Sequence, residues 1–258
     1  MGSVSVIIPT CDRPALLRRA LASVRAQTLA PAEIIVVDDG SASQRGALAG
    51  DAGGLTVLAN RHAAGPSGAR NAGAAAARGE WLAFLDDDDE WTPPYLAEVL
   101  AHAAAARLDV VLTAIRYCYE NGDERGGKTP PAVLRVEDFL ARNPGLVGSN
   151  VVIRRAAFAA VGGFDESLGT AEDMDFGIRL SLHAGLRYAP VPAPLVRHHH
   201  HGGARLCTRR GARMRAGIRR FFELHGARMS AADRQRFHLM ARRLWGIDEY
   251  GRDQEAPE

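Results

Sequence analysis

The chain is poor in cysteine and almost without lysine: it has three cysteines in 258 residues, and Lys128 is the one lysine among 32 basic residues. Cys11, Cys118 and Cys207 lie far apart and form no CxxC pair, which excludes a disulfide framework and points to a reducing compartment. The dominance of arginine, beside many alanines, reads as genome composition. No apolar run approaches the length of a membrane span. The first ten residues, "MGSVSVIIPT", lack the basic region and long apolar core of a signal peptide. The expected location is therefore cytoplasmic, with any membrane contact at the surface. A net charge of +2 is too small to imply nucleic acid. There is no GxxxxGK[ST] phosphate loop, and the turn after the first apolar run, "PTCDRP", carries no glycine, so a GxGxxG dinucleotide fingerprint is absent there. Internal repeats and coiled-coil heptads are also missing.

What is present is an ordinary globular composition, 47% hydrophobic and 24% charged, arranged as alternating strands and helices. "VSVIIP" (Val4–Pro9), "EIIVVDDGS" (Glu33–Ser41), "LTVLAN" (Leu55–Asn60), "EWLAFLD" (Glu80–Asp86) and "DVVLTAIRYCY" (Asp109–Tyr119) read as strands. Arg13–Gln27, Pro66–Gly79 and Pro93–Ala106 read as helices; Asp12 is a plausible cap of the first, and Gly79 a C-cap of the second. Residues Asn121–Pro131 form a turn-rich connector. Beyond it come a short helix at Arg135–Asn143, a helix closing at Gly162-Gly163, and a helix from about Glu172 to Ala184. "LRYAPVPAPLVR" reads as a strand with the "HHHH" run after it, and a basic, mostly helical tail follows. Strands alternating with helices imply a mostly parallel sheet covered on both faces, and such sheets bind ligands at the carboxyl ends of their strands. The polar residues gather there: Thr10, Cys11 and Asp12 after the first strand, Asp38 and Asp39 after the second, and Asp86 to Asp89 after the fourth.

The run "FLDDDDEW" (Phe84–Trp91) carries the chemistry. Carboxylates this close, starting at the edge of an apolar sheet, repel strongly and must take up protons or a cation. Hard cations such as Mg2+ and Mn2+ prefer oxygen ligands, and Mg2+ sites commonly combine one or two carboxylates with substrate phosphates. The metal reading is favoured over a solvated acidic turn.

The stretch from "VSVIIPTCDRP" through "VVDDGS", "GPSGARNAG" and "WLAFLDDDDEW", followed by "SNVVIRRAAFAAVGGFDESLGTAEDMDFGIRLSLHAG", resembles the inverting family 2 glycosyltransferases of GT-A fold over roughly residues 3 to 200. The resemblance implies a GT-A-like α/β fold and transfer of a sugar from a nucleotide-diphosphate donor, UDP favoured, to an acceptor hydroxyl. It places residues 1–106 on the donor side, 107–204 on the acceptor and base side, and 205–258 in a basic helical extension. Thr10 and Asp12 match the nucleoside site, and Asp38 or Asp39 the acid that contacts base or ribose. Arg70 and Asn71 match the "ARN" segment lining the nucleotide pocket. Asp86 and Asp88 align with the metal-binding DxD for Mn2+ or Mg2+, with Asp87 beside them. Asp87-x-Asp89 is a second possible register. Asp173 of "AEDMDF" matches the catalytic base, with Glu172 and Asp175 in support. Some GT-A enzymes supply a distal histidine to the metal, which makes His199 a candidate within His198–His201. The implied acceptor is a glycan, a lipid-linked sugar or a small natural product. The absence of a QxxRW motif argues against a processive synthase. The arginine-rich tail, Arg205 to Arg220, reads first as a solvated or docked helix, second as a surface for anionic lipid, and third as part of the site wall. Two other readings stand beside this one. A sugar nucleotidyltransferase is disfavoured by the missing glycine-rich loop. A non-catalytic sugar-nucleotide binder is disfavoured by the full set of Asp39, Asp88 and Asp173.

Overall fold

A computed structural model describes residues 2–40, 54–200 and 212–246. Its centre is a nine-stranded sheet, formed by β1 (Val4–Thr10), β2 (Glu33–Asp38), β3 (Leu55–Ala59), β4 (Trp81–Phe84), β5 (Glu90–Trp91), β6 (Val110–Tyr119), β7 (Glu124–Gly126), β8 (Val151–Arg154) and β9 (Tyr188–His200). The strand order is β3-β2-β1-β4-β8-β6-β9-β5, with β7 paired off β6. From β3 to β4 every pairing is parallel, while β8 enters antiparallel between β4 and β6 and reverses the sense of the sheet. β6 and β9 run parallel again.

The parallel half follows from its sequence. Alternate residues of a strand point to opposite faces. Ile7 of β1 packs into one apolar layer with Val37, Phe84, Phe158 and Phe176. Its neighbours Val6 and Ile8 enter the other, with Leu17, Leu21, Val24, Leu96 and Val99. Both layers are closed by helices. The second takes α1 (Pro14–Arg25) and α3 (Tyr95–Ala105). The first takes α2 (Pro66–Ala76), α4 (Val136–Leu140), α5 (Arg155–Val161) and α6 (Glu172–Leu182). The tail helices α7 (Ala212–His225) and α8 (Ala231–Trp245) add Ile218, Phe221, Phe237 and Ala241 to that same layer. The part of the tail within the described residues is thus docked on the sheet-bearing core. Arg205, Arg209, Arg210 and His201 lie outside the described residues.

Several local expectations change. Asp12 does not cap α1: the N-cap position is Arg13, without a side-chain bond, and Asp12 occupies the left-handed region at φ +51°. Gly79 stands beyond the end of α2, where a Cβ would come within 2.6 Å of the Ser5 backbone nitrogen. The connector after β6 is a hairpin, with β7 antiparallel to β6. His198, His199 and His200 are the end of β9 rather than a loop after it. Pro190, Pro192 and Pro194 remove ladder donors along this strand, and its register against β6 shifts between Thr113 and Ile115.

Candidate functional site

The strand register builds the site floor. Ile7 of β1 pairs with Phe84 of β4. The same offset carried three residues onward brings Thr10 to Asp87, and the Thr10 hydroxyl donates to Asp87 Oδ2 at 2.7 Å. Thr10 also pairs with Asp38 across β1 and β2. The expected convergence of three strand ends is therefore realised. Above it lies a cavity of about 270 Å³, lined among others by Thr10, Cys11, Arg13, Asp39, Gly65, Arg70, Asp86, Asp87, Asp88, Gly169, Thr170, Glu172, Asp173 and His198.

The four consecutive aspartates separate into different tasks. Asp87 is fully buried and faces inward, bound by Thr10 and by Arg13, whose Nη2 stands 2.5 Å from Oδ1. Burial pushes Asp87 up to about 7 against the pull of Arg13 and Thr10. Asp89 is also fully buried. Burial alone would raise its pKa. His198 Nδ1 at 3.0 Å, the Ser149 hydroxyl at 2.5 Å and the His199 backbone N–H at 3.2 Å hold it below the usual carboxylate range. Asp86 and Asp88 remain partly accessible on the cavity wall. Arg70 Nη2 donates to Asp86 at 2.6 Å, and Arg13 Nη1 donates to Asp88 at 3.1 Å. Asp86, Asp88 and Asp89 each offer a carboxylate oxygen, all within 4.8 Å of one another. A donor set of hard oxygens fits Mg2+ or Mn2+.

Arg70, buried beneath the cavity, joins this cluster to the other wall. Its Nη1 stands 3.6 Å from Glu172, its guanidinium lies 5.1 Å from the Phe164 ring centroid, and a Cβ on Gly148 would collide with it at 2.3 Å. Glu172 and Asp173 open α6. Asp173 Oδ1 is shut off from solvent and has no hydrogen-bond partner among the described residues. Burial first, then the neighbouring negative charges of Glu172 and Asp86, raise the Asp173 pKa well above the carboxylate range, with Arg70 opposing them. A desolvated carboxyl with an uncommitted oxygen, facing a cavity, suits proton uptake.

The remaining candidates divide. Asp39 lines the cavity and accepts from the Gly65 backbone N–H at 2.6 Å and from Asn60 Nδ2 at 2.5 Å. Asp38 is buried behind it and accepts from the Gly40 N–H at 2.9 Å. Asp12 is exposed and outside the cavity lining. Asn71 also lies outside it: its amide receives the Phe164 N–H at 2.9 Å and donates to Phe164 O and Glu166 Oε1, both at 2.8 Å, which pins the loop before α6. Strand alternation sends His198 to the cavity, while His199 Nε2 meets Glu90 at 2.6 Å on the opposite side of the strand. Asp175 is buried and held by Arg179 and by His225 Nε2 at 2.9 Å. Trp91 packs in the core, stacked on Tyr95 at 4.2 Å. Burial raises the Cys11 thiol pKa, which disfavours the thiolate. Sequence reasoning passed over Arg13. Its signal was there, one position before a helix-starting proline and opposite the acidic run.

Comparison with known proteins agrees with this architecture. Residues 5–162 match the model of glycosyl transferase family 2, and residues 130–244 match that of a glycosyltransferase-like family 2 group. The pre-mycofactocin glycosyltransferase of Mycobacterium tuberculosis is 34% identical over 214 residues, which are 76% of this chain and 43% of that protein. The chain thus spans less than half the length of that relative. The GalNAc(5)-diNAcBac-PP-undecaprenol beta-1,3-glucosyltransferase of Campylobacter jejuni is 36% identical over 108 residues, 40% of this chain and 35% of that one. Among solved structures, S. aureus TarS 1-349 in complex with UDP-GlcNAc superposes with a TM-score of 0.68 at 22% identity, covering 95% of this chain and 73% of its own. The α/β sheet is GT-A-like, and the chain belongs to glycosyl transferase family 2.

Proposed function

We propose that this chain transfers a sugar from a nucleoside-diphosphate donor, UDP favoured, to an acceptor hydroxyl, with inversion and with Asp173 as the base. The observation that carries this reading is the Asp173 carboxyl. It is half-buried and raised in pKa, its Oδ1 is shut off from solvent without a partner among the described residues, and the residue lines the same cavity as Asp86, Asp87 and Asp88. A group of raised pKa is a stronger base once ionised, and one positioned carboxylate suffices to take a hydroxyl proton. Asp39 and the segment around Gly65 bound the part of the cavity assigned to the nucleoside. Asp86 and Asp88, with Asp89 behind them, would hold Mg2+ or Mn2+. Bound there, the cation would supply positive charge to the leaving diphosphate. Arg13 and Arg70 keep the carboxylates apart and oriented, and Arg70 ties Asp86 to Glu172 beside the base. His198 stands at the cavity and His199 does not, so His198 is the histidine assigned to this site. The acceptor is a glycan, a lipid-linked sugar or a small molecule. The Campylobacter relative, by its name, acts on an undecaprenol-linked glycan. No helix of the described residues is long and apolar enough to cross a membrane.

The test is donor turnover by Asp173→Asn in a protein whose nucleotide affinity is intact. The expected result is near-complete loss of nucleoside diphosphate release. Retention of most turnover would remove Asp173 from the role of base.

A further inference from the structure

Among the described residues the cavity is short of available positive charge. Six carboxyl groups of those residues line it, and two arginines. Both arginines are committed: Arg13 to Asp87 and Asp88, Arg70 to Asp86 and Glu172. A donor diphosphate entering there meets a strongly negative field, which grows as water is excluded. A cation bound by the carboxylates offsets part of that charge. Diphosphate oxygens on the far side of the cavity still need a donor.

Two glycines of the cavity lining show where one stands. A Cβ on Gly65 would lie 2.6 Å from Arg213 Nη2 and 3.1 Å from Arg213 Cζ. A Cβ on Gly169 would lie 2.6 Å from the Arg213 carbonyl oxygen and 2.7 Å from its Cγ. Arg213 therefore reaches across the rim from the loop before α6 to the loop before α2, and both loops are stripped of side chains where it passes. Gly65 has φ +109°, a backbone region that L side chains rarely adopt, so this clearance is built into the chain. The anchorage is firm. Gly217, one turn on, packs its Cα against the Gly169 and Thr170 backbone nitrogens, leaving 2.8 Å to each from a Cβ. Ile218 and Phe221 are buried, and His225 binds Asp175 on α6. Arg213 itself is exposed and makes no ion pair among the described residues.

We propose that Arg213 of the tail helix binds the donor diphosphate. It would complete the donor site from the rim opposite the acidic run, which makes α7 a wall of the active site. The inference rests on the donor-site reading above. A planar guanidinium matches phosphate oxygens two at a time, which an ammonium does not.

The experiment compares wild type, Arg213→Gln and Arg213→Lys in the full chain with Mn2+. UDP, GDP and dTDP are titrated by calorimetry, and the matching nucleosides by NMR. The expected result is a loss of roughly ten- to a hundredfold in diphosphate affinity for R213Q. Nucleoside affinity should be unchanged, and R213K should recover part of the loss. Unchanged diphosphate affinity in R213Q overturns the proposal. So does an equal fall for nucleoside and diphosphate, which is what a purely structural rim residue would give. If wild type binds no nucleoside diphosphate at all, the donor-site reading fails first, visibly in the unaltered protein, and this inference falls with it.

Discussion

The two halves of the sheet contribute to the site in different ways. In the parallel half, β1, β2 and β4 each end in the polar residues that form the floor, and the ladder register alone brings Thr10 to Asp87. In the second half most partners are remote in sequence. His198 reaches the cavity only because β9 runs on through the histidines. Ser149 orients Asp89 from the turn before β8, and α7 closes the rim from near the end of the described chain. The floor is thus a property of strand ends, while the environment of Asp173 is assembled from segments far apart in sequence. Asp173 owes its raised pKa to burial and to Glu172 beside it, but also to Asp86 on β4's side of the cavity.

The largest effect is expected at the meeting of the halves. Asp173→Asn should lower donor turnover by about 10²–10⁴-fold while leaving nucleoside diphosphate affinity in place. Loss of affinity in step with turnover would instead make Asp173 part of the floor. Next comes the claim that the tail belongs to the core. Phe221 is fully buried and stacks on Phe237 at 5.3 Å. Phe221→Ala should cost about 3–5 kcal/mol and leave a single unfolding transition in denaturant. Two transitions, with the sheet unaffected, would mean an independent extension.

Asn71 sharpens the contrast from the other side. Its three hydrogen bonds hold the loop carrying Phe164 and Glu166, so Asn71→Ala should cost about 2 kcal/mol. Nucleotide affinity should persist in the folded variant. A specific loss of nucleotide affinity, with stability retained, would return Asn71 to the nucleotide pocket that its motif implies. The smallest effect is electrostatic. A raised pKa means that the base form of Asp173 accumulates only above the ordinary carboxylate range, so turnover should rise with pH through that raised value. Glu172 raises it further, so Glu172→Gln should move the acid limb of the pH–rate profile to lower pH. A limb that stays put would show that Glu172 does not set the base.

Much of the floor was legible because it depends on short-range rules: β-branched runs stop, and acids begin where the sheet edge opens. Asp173 is singled out as the proposed base only through the motif around it, since acids at a helix start are common on dipole grounds alone. The task of each aspartate in the run was not legible. Four identical residues acquire different environments only when Thr10, Arg13, Ser149 and His198 arrive from other strands and turns. That His198 and not His199 lines the cavity follows from strand alternation, which a loop reading of "RHHHH" could not supply. Asn71 sits one residue from Arg70 yet faces the opposite way, because successive helical residues point to different sides. Arg213 was one arginine among many until two glycines marked its path.

The most direct test of the central claim is a calorimetric titration of the full chain with UDP, GDP and dTDP, each with Mn2+ and with EDTA. The account predicts that one nucleotide binds tightly only with the metal, and that Asp86→Ala/Asp88→Ala abolishes the difference. Binding that is equal with and without Mn2+ would contradict it, and would leave the acidic run as a hydrogen-bonded turn with no part in holding the donor.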